Sequence, residues 1–301
     1  MKIVLTGSIS NIGKPLTEKL IANGHDVTVI SSKNERVSAI EALGAKAVIG
    51  SMFDVIFLSE TFRGADIVYL METLDAVGSL FDPELDFIAG INTIANNYKN
   101  AILQSGVTQI VHLSSIGAHT TKNNGILKFH TNAENTLREL PENIAIKFMR
   151  PVGFYTNMFS FIPNIKSKNI IIANYGGDTK MPWVSPLDIA TVIAKEMESY
   201  FEGRSFQYIA SDEISPNEIA TILGNALGKP DLKWIEVTDE ELLQTWLSIG
   251  FNKQIASGFI EMQSSKNTGA LYEDYYKHKP LLEKTKLSEF AKQFAEVYQQ
   301  S

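Results

Sequence analysis

Between the apolar run Ile3-Val4-Leu5 and a periodic apolar stretch starting at Ile12 lies Thr6-Gly7-Ser8-Ile9-Ser10-Asn11-Ile12-Gly13. A turn of this kind, leading from a strand into a helix, aims unbonded helix N–H groups and the positive dipole end at an anion. Gly7 permits the tight turn, and Gly13 lets helix and strand pack closely. A glycine midway would let a pyrophosphate touch the backbone. Here that residue is Ser10, whose Cβ narrows the approach while its hydroxyl can donate to a phosphate oxygen. The chemistry expected is dinucleotide binding. The plainer alternative is a strand–helix turn with no ligand.

The end of the second strand selects the dinucleotide. An acid there binds the ribose 2′-hydroxyl and repels a 2′-phosphate. This chain offers Ser31-Ser32-Lys33, with Arg36 one turn on and no acid between Asp26 and Glu35. Two hydroxyls and a cation fit a phosphate, so NADP(H) is expected over NAD(H). A solvated loop with an incidental lysine is the alternative.

These groups need elements to hold them. Apolar runs at Ile3–Thr6, Val27–Ile30, Ala47–Ile49, Ile67–Leu70, Ile110–Leu113 and Ile144–Phe148 read as six strands. Helical periods fall between them at 12–23, 34–43, about 84–104 and about 126–139. The expected fold is α/β, a doubly wound parallel sheet of Rossmann type with a smaller C-terminal lobe. We place the nucleotide domain at 1–155 and the substrate lobe at 156–301, with 183–200 packing back on the first domain. Ser215-Pro216-Asn217-Glu218 and Thr238-Asp239-Glu240-Glu241 read as capping boxes that open two helices, and another helix is expected over 286–299.

Composition narrows the classes. The 301 residues are 44% apolar and 20% charged, which describes a globular protein with a core. There is no cysteine, so disulfides, thiolate metal sites and a cysteine nucleophile are excluded. None of the five histidines pairs with another at helical metal-ligand spacing, so no metal is expected. No Gly-x-Ser-x-Gly elbow of a serine hydrolase occurs. The net charge of −7 and the scatter of the lysines argue against nucleic-acid binding. No signal-like or bilayer-length apolar run appears, so a soluble cytoplasmic protein with no membrane contact is the expectation.

Further motifs follow in order: Gly44-Ala45-x-x-Val48-x-Gly50, Gly106-Val107-x-x-Ile110-Val111-x-Leu113-Ser114-Ser115-Ile116-Gly117-Ala118, His130-x-x-x-Glu134-x-x-Leu137, and Arg150-Pro151-x-x-Phe154-Tyr155-x-x-Met158. With the first turn, they resemble the NmrA-like branch of the atypical short-chain dehydrogenases, in particular its type 2 quinone oxidoreductases and triphenylmethane reductases. The resemblance covers about 1–160 and extends weakly through Ser185-x-x-Asp188-Ile189-Ala190. It implies NADP(H) across the carboxyl edge of the sheet and a small-molecule substrate between the lobes. Carried over by position, Gly7, Ser8, Ser10, Asn11, Ile12 and Gly13 would hold the pyrophosphate, and Ser31, Ser32 and Lys33 the adenosine ribose. Ser51 and Met52 follow the third strand as further cofactor positions, and Met71, Glu72 and Thr73 follow the fourth. Ser114, Ser115 and His130 would flank the nicotinamide, and Pro151, Val152, Gly153 and Phe154 would pass beside its carboxamide.

The chain also departs from the family. Many relatives have Gly at position 10 and Asp at position 51, where this chain has Ser10 and Ser51. The Tyr-x-x-x-Lys pair is absent: counting back from Glu134, the lysine slot holds His130 and the tyrosine slot Ile126. Without that pair, alcohol–ketone chemistry lacks its usual acid. A quinone or extended conjugated acceptor needs less help, because the oxyanion formed is delocalised. His130 is then the remaining candidate for a catalytic contact, with Glu134 expected to orient it or to bond backbone. Ile126, Tyr155, Asn157, Met158 and Trp183 are expected to line the substrate pocket, against a plainer role in lobe packing. The leading expectation is an NADPH-dependent oxidoreductase of quinone-like or conjugated acceptors. The alternative is an NmrA-type redox-sensing regulator that binds dinucleotide without catalysis. A homodimer or a regulatory protein partner is left open.

Overall fold

A computed structural model describes residues 1–301. In chain order the first half contains β1 (Lys2–Leu5), α1 (Gly13–Ala22), β2 (Asp26–Ser31), α2 (Val37–Glu41), β3 (Lys46–Ile49), α3 (Val55–Phe62), β4 (Ile67–Leu70), α4 (Leu74–Val77), α5 (Phe87–Ser105), β5 (Gln109–Leu113), α6 (Lys128–Arg138) and β6 (Ala145–Pro151). The second half contains β7 (Gly153–Phe154), α7 (Ile162–Lys168), β8 (Ile170–Ala173), β9 (Met181–Val184), α8 (Pro186–Glu198), β10 (Arg204–Ile209), β11 (Asp212–Ile214), α9 (Pro216–Ala226), β12 (Lys233–Glu236), α10 (Asp239–Ser248), α11 (Lys253–Thr268), α12 (Glu273–Lys277) and α13 (Leu287–Gln300).

The main sheet is parallel, in the order β10-β6-β5-β4-β1-β2-β3. Strand order reverses between β1 and β4, so the loops that follow these two strands diverge and open a crevice at their carboxyl ends. The central strands are largely apolar because helices cover both faces. Successive side chains alternate between two cores. Ile3, Leu5, Val27 and Val29 face α1 and α8, whereas Val4, Val68, Leu70 and Ile110 face α3, α5 and α6.

Beyond β6 the boundary at 155 does not divide the sheet. Residues 204–209 return to it as β10, pairing with β6 from Arg204↔Ile146 to Ile209↔Pro151. The small lobe is thus an excursion that leaves after β6 and closes against the sheet it left. α8 packs on α1 during the return. Two small sheets, β11-β9-β7 and β12-β8, build the lobe. Both capping boxes form, on Ser215 with Glu218 and on Thr238 with Glu241. The helix expected over 34–43 begins as a 3-10 turn at Asn34–Arg36 and tightens to 37–41.

Candidate functional site

The glycine turn adopts the shape its residues suggest. Gly7 has φ +84°, and a Cβ there would run into the Met71 side chain across the crevice. A Cβ on Gly13 would strike the carbonyl oxygen of Ser8. Ser8 itself is left-handed at φ +58°, with its hydroxyl buried and unpartnered. No backbone carbonyl accepts the amides of Ser10, Asn11 or Ile12. The Ser10 hydroxyl accepts the Gly13 N–H at 3.1 Å, which leaves its own proton free for an external acceptor. The result is a cradle of unbonded donors at the mouth of α1.

β1, β4, β5 and β6 end in a row along this crevice. The Thr6 amide donates to Tyr69, and the Thr6 hydroxyl accepts from the Met71 amide at 2.9 Å. The Ser114 amide donates to Met149 and the Ile116 amide to Pro151. Half-buried Met71, Thr73, Ser115, Gly153 and Phe154 stand at the carboxyl ends, with Pro151 and Val152 buried behind them. At the far end, Ser32, Lys33 and Ser51 are exposed and Met52 is half-buried. Ser31 is buried, and its Oγ accepts the Lys33 amide at 3.2 Å. Residues far apart in sequence therefore meet along one edge of the sheet.

Several expected contacts are turned elsewhere. The Glu72 side chain faces inward: its carboxylate meets Nε2 of His112 at 2.9 Å, both side chains being fully buried. The Ser114 hydroxyl donates to Glu134 at 2.6 Å, so its proton is committed within the protein. Glu134 does not orient His130. It accepts from Arg150 Nε at 2.8 Å and Nη2 at 2.7 Å, and from Arg138 at 3.0 Å. Arg150 and Ser114 outweigh the cost of burial and keep the Glu134 carboxyl below its ordinary range.

His130 lies against Phe129 with ring centroids 4.0 Å apart, and its Nδ1 is buried without a partner. Burial, reinforced by the neighbouring His112, pushes its pKa down to about 3. The ring is therefore neutral at ordinary pH. It can accept or donate one hydrogen bond but carries no acidic proton.

The expected pocket residues separate. Ile126, the tyrosine-slot residue, is buried beneath α11 against Gly258. Tyr155 is wholly buried, stacks on Phe290 at 5.4 Å and donates to the Thr285 carbonyl. Met158 is likewise in the core, and Asn157 is exposed. Tyr155 and Met158 share one cause of burial. The first turn after β7 is held down by α13, which the spacing in the sequence does not reveal. Trp183 is buried as well; it is the register partner of Gly153 in the small sheet, and its indole N–H has no acceptor.

Residues to which the sequence assigned no role also converge here. His112 and Arg150 each interrupt an apolar strand run, and that interruption was the available signal. Their partners Glu72 and Glu134 come from separate elements. Among His, Cys, Asp and Glu side chains no group of three or more could hold a metal ion. No helix is long and apolar enough to cross a membrane.

Fold and turn together define a doubly wound α/β protein of Rossmann type. A model of the NmrA-like family matches residues 1–299, and the chain belongs to that family. It is 25% identical over 269 residues, covering 89% of this chain and 88% of the relative, to the (4-alkanoyl-5-oxo-2,5-dihydrofuran-3-yl)methyl phosphate reductase of Streptomyces griseus. The NADPH-dependent quinone oxidoreductase of Escherichia coli, solved with NADPH, superposes with a TM-score of 0.80 at 19% identity, covering 97% of this chain and 99% of that one. The triphenylmethane reductase of Citrobacter sp., solved with NADP(H), gives 0.73 at 20% identity, covering 97% and 99%.

Proposed function

We propose that this chain is an NADPH-dependent oxidoreductase that passes hydride to a quinone-like or otherwise conjugated small-molecule acceptor. The observation that carries the reading is the cradle at α1, where the amides of Ser10, Asn11 and Ile12 have no backbone partner and Gly7 and Gly13 leave room for a diphosphate. When bound, the dinucleotide supplies the hydride. The protein's own residues bind, orient and exclude water. Lys33 and Ser32 face the 2′-phosphate, and Ser115, Gly153 and Phe154 flank the reactive ring. The named relatives support the choice of acceptor: a quinone, a dye, and a dihydrofuranone whose ring alkene is conjugated to carbonyls.

The neutral state of His130 agrees with this acceptor class. A ring held at about 3 cannot protonate an alkoxide, whereas a delocalised phenolate or enolate needs only one weak donor or water. The same fact favours one second reading, a dinucleotide-sensing regulator without turnover. The test is direct. NADPH titration should quench tryptophan fluorescence, and menadione should then accelerate NADPH oxidation. Saturable binding with no turnover of any quinone, dye or enone would select the regulator. No binding at all would defeat both readings.

A further inference from the structure

β4 runs out at Met71, and both main-chain polar groups of that residue are fixed by side chains of other elements. Its amide donates to the Thr6 hydroxyl at 2.9 Å, and its carbonyl accepts from the Tyr98 hydroxyl of α5 at 2.7 Å. The next residue is anchored as well, through the buried Glu72–His112 pair. The main chain is therefore held in place, and the Met71 side chain lies across the face of Gly7. Its Sδ and Cγ are the atoms that a Cβ on Gly7 would meet first. Met71 is half-buried, whereas Glu72 behind it is closed off from solvent. A thioether thus stands at the open side of the glycine turn.

A second observation concerns the distribution of sulfur. The chain has no cysteine and eight methionines. Met149, Met158, Met181 and Met197 are buried in the core. Solvent reaches Met1, Met52, Met71 and Met262. Of these, Met52 and Met71 lie at the crevice, after β3 and β4. A mild oxidant entering there meets no thiol, and these thioethers are the soft, polarisable groups it finds.

We propose that Met71 is a redox modification site: a hydroperoxide converts its thioether to the sulfoxide, and the sulfoxide closes the glycine turn to the dinucleotide. The sulfur gives an electron pair to one peroxide oxygen, the S–O bond forms and the O–O bond breaks. With hydrogen peroxide the second oxygen leaves as water, so sulfur is oxidised, peroxide is reduced and no further reactant is needed. The product is polar and chiral where the thioether was apolar. Its oxygen is a hydrogen-bond acceptor beside a turn whose amides at Ser10, Asn11 and Ile12 have no backbone partner, so it competes with a diphosphate for them and repels its charge. This rests on the turn being the dinucleotide cradle. The reductase reading adds a source of oxidant: a hydroquinone that meets dioxygen returns to the quinone, and the dioxygen leaves as hydrogen peroxide. Turnover then limits itself at the place where it occurs.

The experiment treats the dinucleotide-free protein with hydrogen peroxide, locates added oxygen by peptide mass spectrometry, and titrates NADPH before and after. Met71 should gain one oxygen, with exposed Met1 as the positive reference and buried Met149 as the negative one. NADPH present during treatment should protect Met71 but not Met1. The dissociation constant should rise about tenfold or more. Methionine sulfoxide reductases A and B, driven by dithiothreitol, should restore it, and there is no cysteine for the dithiothreitol to alter. This reversal is read on the unaltered protein and needs no variant. Met71→Leu should keep after peroxide whatever affinity it had before, whereas Met52→Leu should lose affinity as the unaltered protein does. Met71 left unmodified while Met1 is converted overturns the inference. So does a sulfoxide form that binds NADPH within about twofold of the starting protein, a loss that persists once Met71 is reduced again, or a Met71→Leu protein as sensitive as the unaltered one. Failure of the untreated protein to bind NADPH defeats the cradle and this inference together, whereas binding that peroxide leaves intact defeats the inference alone.

Discussion

Arg150 grips Glu134 through two near-parallel hydrogen bonds, from Nε at 2.8 Å and Nη2 at 2.7 Å, with both side chains almost fully buried. Glu134 is on α6 and Arg150 on β6. The carboxylate also receives the Ser114 hydroxyl from the end of β5, so one acid ties three elements together beneath the crevice. Arg150 reaches on to Asp274 of α12 at 3.4 Å. The network therefore spans the sheet and the small lobe.

Removing Glu134 leaves the buried Arg150 with only its longer contact to Asp274. Glu134→Ala should destabilise the protein by about 3–5 kcal/mol, and Glu134→Gln by less, because the amide still accepts one hydrogen bond. Urea unfolding measures both. A loss under about 1 kcal/mol for the alanine variant would mean that solvent reaches Arg150 freely.

The cradle makes a sharp steric prediction. Gly13→Trp places bulk against the Ser8 carbonyl and the phosphate position, and should abolish NADPH quenching. Asn11→Ala, at an exposed site whose contribution is a backbone amide, should change affinity by less than about threefold, under 0.7 kcal/mol. Equal behaviour of the two variants would move the dinucleotide elsewhere.

Lys33 is exposed at the end of β2 and tests dinucleotide choice. Lys33→Glu should weaken NADPH by about tenfold or more and leave NADH nearly unchanged, because a carboxylate repels a 2′-phosphate but not a hydroxyl. The ratio of the two dissociation constants is the readout. An unchanged ratio would remove Lys33 from the site.

His130 gives a pH prediction with a definite sign. Its folded pKa is about 3, and an unfolded histidine titrates near 6.5, so the unfolded chain binds the extra proton between these values. Stability from this group is present above about pH 6.5 and declines as pH falls toward 3. His130→Gln should flatten the acid limb of a thermal-stability profile. An equally steep limb would show that the ring is protonated in the native state.

The fold could be read wherever an element followed a simple pattern. The central strands are apolar because they are buried on both faces, so each stands out in the sequence. β10 does not. Arg204-Ser205-Phe206-Gln207-Tyr208-Ile209 mixes exposed and buried positions because it is an edge strand with one side unpaired, and so it resembles a surface loop. α3 is only eight residues long and lacks a long period. The glycine turn was legible because it is local, running from one strand into the next helix. Glu134 was visible as part of a motif, but its partners Ser114 and Arg150 lie 20 and 16 residues away, and no spacing rule joins them.

The late arrival of β10 bears on how the molecule is made. A nascent chain that has released residues 1–155 carries β6 as a naked margin, its peptide groups open to any passing strand until about fifty further residues emerge from the ribosome. Residues 1–155 therefore do not by themselves complete the main sheet, whose last strand comes from 204–209. A different small lobe would have to leave after β6 and bring β10 back to the same margin, as one replaces the stone of a ring without opening the band.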